Sequence, residues 1–143
     1  MDVENAVSTG QLEVFVWQDA YLKPGYFDQY AMLELIQQIL RSGKEQGYPL
    51  TRLVAHMEWC LGDCRGVEDI VEYESRLNYI LPQYDDPVIC TYDISKHSAE
   101  VIMGVLQTHP AVIINGILQI NPFYAAPDEF LAELRTRKNT AHA

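Results

Sequence analysis

Arg52-Leu-Val-Ala-His56, then Val67 to Leu81, then Pro87-Val-Ile-Cys-Thr-Tyr92: this run of the chain decides the fold. The first and last pieces are short, largely apolar segments of the kind that form buried strands. Between them, Ile70, Tyr73, Leu77 and Ile80 recur at steps of three and four, so one face of a helix over Val67 to Leu81 turns inward and Pro82 ends it. Glu72 and Arg76 stand four apart on that helix, the favourable order for an exposed ion pair. A strand, a helix and a second strand in this order predict a parallel crossover. Pro87 to Tyr92, the more apolar of the two strands, is expected at the centre of the sheet.

The same alternation extends in both directions. Upstream, Leu12-Glu-Val-Phe-Val-Trp17 alternates apolar and polar residues like a strand and breaks at Lys23-Pro-Gly25. Asp28 is a candidate cap for a helix whose apolar positions Met32, Leu33, Leu35, Ile36, Ile39 and Leu40 run to Gly43 or Gly47. Downstream come a helix over Ser98 to Gln107, a strand over His109-Pro-Ala-Val-Ile-Ile114, and Asn115-Gly116, a strong hairpin signal. Ile117-Leu-Gln-Ile120 returns antiparallel, and a last helix starts near Pro127 and Asp128 and frays after Lys138, leaving Asn139 to Ala143 untethered. The expected class is α/β: a mostly parallel sheet with helices on both faces and a C-terminal antiparallel hairpin, in one domain over residues 1–143.

Composition narrows the function. Ten Lys and Arg against twenty Asp and Glu give a net charge of −10, which repels phosphate backbones and anionic lipid heads, so no nucleic-acid or membrane partner is expected. Arg135, Arg137 and Lys138 form the one cationic cluster, and they suit the negative end of a helix dipole. Apolar runs such as Ala111 to Ile114 fall far short of the about 20 residues that cross a bilayer. The acidic N-terminus does not read as a secretory signal. With three cysteines, Cys60, Cys64 and Cys90, in a chain long enough to need no staple, a reducing cytoplasm is expected.

Reactive motifs are few. Neither Gly-x-x-x-x-Gly-Lys-Ser/Thr nor Gly-x-Gly-x-x-Gly occurs, and Gly43-Lys44 follows helical residues, where it offers no helix N-terminus to a phosphate. His56, Cys60 and Cys64 step by four and with Cys90 would make four zinc ligands, but the paired knuckles of zinc sites are missing, so the cysteines read as small core residues and no metal or cofactor is expected. Ser98 beside His97, or Cys90 with His109, are the pairs available for nucleophilic catalysis, without a nucleophile elbow to support them. What remains is a polar and aromatic set where strands end: His56, Glu58 and Trp59, then Tyr92 and Asp93, then Asn121 and Tyr124. Crevices at strand ends of open α/β sheets are the usual binding places. Packing explains the same Trp and Tyr equally well, and Asn121-Pro122 is also a turn.

Several runs together resemble a known family. Gly10-Gln-Leu-Glu-Val14 leading to Trp17 and Ala20-Tyr-Leu22, His56-Met-Glu-Trp59, Glu72-Tyr-Glu74, Tyr92-Asp93, Thr108-His-Pro110, Asn121-Pro-Phe-Tyr124 and Pro127-Asp-Glu-Phe-Leu131 are similar to the MEDS domain, the methanogen and methylotroph sensory domain typified by the regulator of dichloromethane metabolism. The likeness runs over residues 10–138 and resembles the later two-thirds of that domain, since only nine residues precede Gly10 and the family usually has a further strand and helix there. The resemblance implies a RecA- and KaiC-like α/β fold without a working phosphate-binding loop. It also implies an input module of prokaryotic signalling that accompanies histidine kinases, transcription regulators or anti-sigma-type partners and senses small, hydrocarbon-like molecules. No catalytic residue comes with it.

The expectation is therefore a non-catalytic sensory module that binds a small apolar or amphipathic molecule through His56, Glu58, Trp59, Tyr92 and Asn121. A homodimer or a signalling partner would cover the sheet edge that a shortened N-terminus leaves. Alternatives are an interaction module acting through its acidic surface, and a hydrolase or metal enzyme built on His56, Cys60, Cys64 or His109.

Overall fold

Asp28 opens the longest helix, α3 (Gln29–Glu45), by accepting hydrogen bonds from the Tyr30 and Ala31 amides at 3.0 and 3.1 Å. The computed structural model in which this is seen describes residues 2–141. Met32, Leu33, Ile36 and Leu40 are buried along one face of α3, as their spacing requires. Helix α4 (Ile70–Ile80) buries Ile70, Tyr73, Leu77 and Ile80 in the same way, and Arg76 donates to Glu72 at 2.8 Å. Both helices pack on β1 (Leu53–His56) and β2 (Val88–Thr91), which pair in parallel with Leu53 opposite Val88 and His56 opposite Thr91.

Aromatic rings finish this core. Trp59, in a 3-10 turn after β1, stacks on Tyr21 at 4.4 Å, and Phe27 meets Tyr73 edge-on at 5.4 Å. Each such buried side chain contributes about 1.5–3 kcal/mol or more from area alone. Helix α5 (Ala99–Thr108), capped by Ser98, lies so close to α4 that a Cβ on Gly104 would stand 2.7 Å from Val71 Cγ1. Only glycine fits that approach.

The hairpin forms as its turn residues dictate. Asn115 (φ 51°) and Gly116 (φ 76°) both take positive φ, the type I′ requirement, between β3 (Ala111–Ile114) and β4 (Ile117–Ile120). A final helix, α6 (Pro127–Ala141), packs on α4. It continues through Asn139 to Ala141, past the fraying point expected at Lys138, while His142 and Ala143 lie outside the described residues. A short helix that sequence patterning missed, α1 (Val3–Ser8), is capped by Asp2.

Three expectations are corrected. Leu12 to Trp17 is not a strand: the Leu12 amide bonds back to the Ala6 carbonyl at 3.0 Å, and Trp17 opens α2 (Trp17–Ala20). Alternation makes a strand only where an edge is there to pair with, and Val14, Phe15 and Val16 lie exposed instead. The expected mostly parallel sheet is, among the described residues, two separate two-stranded sheets, so β2 is not central. Pro110 has no amide to donate to a ladder, and its carbonyl accepts from the Asn121 amide at 3.0 Å, which ties the hairpin base to the end of α5. Nor are both faces covered: Val54, His56, Ile89 and Thr91 on the outer face of β1 and β2 are exposed, as are Ile113, Ile114, Ile117, Leu118 and Ile120 on the hairpin.

Candidate functional site

Glu74 falls four residues after Ile70 and three before Leu77, so helical spacing aims it into the core with them. Its side chain is 1% exposed. A carboxyl group buried that deeply needs partners. The Tyr92 hydroxyl donates to its Oε1 at 2.5 Å and the Cys90 thiol donates to its Oε2 at 3.6 Å. Tyr92 follows β2 and Cys90 faces inward from it, because alternate residues of a strand share a face.

His109 completes the group from the opposite wall. Its Nε2 stands 3.6 Å from Glu74 Oε2, and its Nδ1 lies 2.8 Å from the Val105 carbonyl. A carbonyl only accepts, so Nδ1 carries a hydrogen and Nε2 is the ring nitrogen turned toward Glu74. Asn121 holds the segment that bears His109: its Nδ2 donates to the Leu106 and His109 carbonyls, and its Oδ1 accepts from the Phe123 amide at 3.0 Å. Glu74, Cys90 and His109 border a cavity of about 280 Å³ whose other walls include Leu77, Leu81, Val88, Pro110 and Ala111.

Burial, and then the neighbouring Glu74, push the Cys90 thiol well above its ordinary range. Burial likewise raises Tyr92, with Glu74 adding to it. A thiol held protonated is a poor nucleophile, and the Cys90 thiol is hydrogen-bonded to the acid Glu74. Burial also lifts Cys60 to about 11, and its Sγ donates to the Met57 carbonyl at 2.9 Å. Among the described residues, Glu74, Cys90 and His109 are the His, Cys and acidic side chains whose ligand atoms gather within 4.8 Å; His56, Cys60 and Cys64 do not join them.

The residues expected at the site divide into three places. His56 and Glu58 sit on an exposed rim, with His56 Nδ1 3.2 Å from Thr91 Oγ1, His56 Nε2 3.5 Å from Glu58 Oε1, and Lys96 donating to Glu58 at 2.7 Å. The hydrogen bond from Lys96 holds Glu58 below the usual carboxylate range. Trp59 is a core residue, 5% exposed, whose indole N–H finds no acceptor among the described residues. Tyr92 and Asn121 belong to the Glu74 group, the first by touching the carboxyl and the second by fixing His109. Sequence reasoning missed Glu74, although its position inside the apolar stripe of α4 was a signal that could have found it.

A family model described as "MEDS: MEthanogen/methylotroph, DcmR Sensory domain" matches residues 1–110. The chain belongs to the MEDS family. The matched span of the MEDS domain holds Glu74, Cys90, Tyr92 and His109, and it stops before the hairpin and Asn121. Neither a curated protein nor a solved structure matches the chain. Three MEDS-like runs that lie apart in the chain, Glu72-Tyr-Glu74, Tyr92-Asp93 and Thr108-His-Pro110, meet at one carboxyl group. No helix among the described residues is long and apolar enough to cross a membrane.

Proposed function

We propose that this MEDS domain is a non-catalytic sensory module that binds a small amphipathic molecule in the cavity beside Glu74. One observation carries the reading: a cavity walled mostly by apolar residues also holds a few polar side chains, Glu74 and His109 with Asn78 and Thr108. Ligand sites combine such walls with a few convergent polar groups that fix orientation. The Glu74 carboxyl oxygens accept hydrogen bonds, so they favour a hydroxyl or ammonium head with a short alkyl tail. The Cys90 thiol, held protonated and hydrogen-bonded to Glu74, weighs against a hydrolase. A relation to RecA- and KaiC-like domains without a phosphate loop, a cytoplasmic setting and a role in prokaryotic signal transduction accompany this reading through the family.

The test is a melting scan with linear alcohols and amines of about four to six carbons, a size suited to a cavity just under the about 300–1,000 Å³ of typical ligand pockets. A ligand at about 100 times its Kd adds about 2.7 kcal/mol, so the melting temperature should rise by several degrees. Ala111→Leu, which fills the cavity wall, should abolish the rise. No shift across the series, or an equal shift in Ala111→Leu, would refute the pocket.

A second reading, docking on a partner chain or on a second copy, is favoured by the exposed apolar hairpin residues Ile113, Ile117, Leu118 and Ile120. The two readings are compatible, since a sensory module passes its signal to another surface.

A further inference from the structure

Glu74, Cys90 and His109 bring together a carboxylate, a thiol and an imidazole, three different donors from α4, β2 and the segment after α5. Their spacing resembles a coordination sphere. Bonds of about 2.0–2.3 Å at tetrahedral angles put ligand atoms about 3.5 Å apart. Here Glu74 Oε2 lies 3.6 Å from both Cys90 Sγ and His109 Nε2.

The surroundings support the same assignment. A histidine that ligates through one nitrogen usually donates its other N–H to a carbonyl or carboxylate, and a ligating carboxylate is itself hydrogen-bonded. His109 Nδ1 faces the Val105 carbonyl at 2.8 Å, and Tyr92 donates to Glu74 Oε1, leaving Oε2 close to both the Cys90 sulfur and His109 Nε2. Charge balances as well: a thiolate and a carboxylate offset a dication, so the filled site is neutral in surroundings that penalise net charge.

We propose that Glu74 Oε2, Cys90 Sγ and His109 Nε2 bind a divalent transition metal of the zinc type, with the fourth coordination position facing the cavity. Binding replaces the Cys90 thiol proton, which passes to solvent, by a metal–sulfur bond. Three protein ligands with one open position suit exchange of a water for an incoming head group. What the open position receives rests on the cavity reading given above, and a bound metal would extend it from hydroxyl and ammonium heads to thiols and carboxylates. A mixed sulfur, nitrogen and oxygen set favours zinc or cobalt over magnesium or calcium. The assignment departs from the sequence expectation of no metal, because the ligands are not the evenly spaced His56, Cys60 and Cys64.

Cobalt(II) tests it directly. The full-length chain, stripped with a chelator and then titrated with Co(II), should take up one equivalent and develop a thiolate-to-cobalt charge-transfer absorption that Zn(II) bleaches. Cys90→Ser should abolish the band, the Cys60→Ser, Cys64→Ser double variant should keep it, and Tyr92→Phe should weaken binding by about 10-fold. Circular dichroism of each variant separates loss of ligand from loss of fold. Absence of the band, or its survival in Cys90→Ser, overturns the proposal. If alcohols and amines raise the melting temperature of stripped protein that gives no band, the metal site fails and the cavity reading stands. A band without any such shift leaves the metal site standing and removes that reading.

Discussion

Two histidine–acid pairs with nearly equal separations occupy opposite situations in this molecule. His56 Nε2 lies 3.5 Å from Glu58 on the rim, with side chains 69% and 32% exposed; His109 Nε2 lies 3.6 Å from Glu74, with side chains 22% and 1% exposed. Coulomb energy depends on the local dielectric as strongly as on distance, so water and salt mute the first pair far more than the second. The rim pair is further satisfied by Lys96, which takes up the Glu58 charge. The buried pair has Tyr92 and Cys90 instead, two neutral donors, and a cavity of mostly apolar walls beside it. Strand-end position therefore groups residues in very different surroundings, and burial with convergent donors separates them.

Substitutions sharpen this contrast. Glu74→Ala should have the largest effect, a loss of about 2–4 kcal/mol in urea denaturation, because it strands the Tyr92 hydroxyl and the Cys90 thiol and leaves a hole in the core. A cost as small as that of a surface change would mean that the carboxyl group is not held as described. Glu58→Ala should have the smallest effect, a urea midpoint indistinguishable from that of the parent chain, because the ion pair it removes is solvated. A large loss there would move the functional emphasis back to the rim.

Much of the fold was legible because local signals agreed with one another. The Asp28 and Ser98 caps, the apolar stripes of α3 and α4, and the Asn115-Gly116 turn each specify a conformation that no distant contact needs to complete. The errors concern pairing, which is not local. Leu12 to Trp17 carries a strand pattern yet finds no edge, and Pro110 and Asn121 divert the hairpin from the parallel strands. The candidate site shows the same division. Tyr92 and Asn121 were visible as polar groups at strand ends, and Cys90 with His109 was visible as a reactive pair, but the carboxyl group that unites them sits inside a stripe whose apolar members drew the eye. Trp59, which the sequence left open between a strand-end site and packing, turns inward because Tyr21 and Phe27 offer it aromatic faces.

The most direct test of the buried pocket is an amide NMR titration of the metal-free chain with n-pentanol. Resonances of Val88, Cys90, His109 and Ala111 should move with a saturable dependence on alcohol while those of His56 and Glu58 stay in place. Movement confined to His56, Glu58 and Thr91, with the cavity amides unchanged, would contradict the assignment.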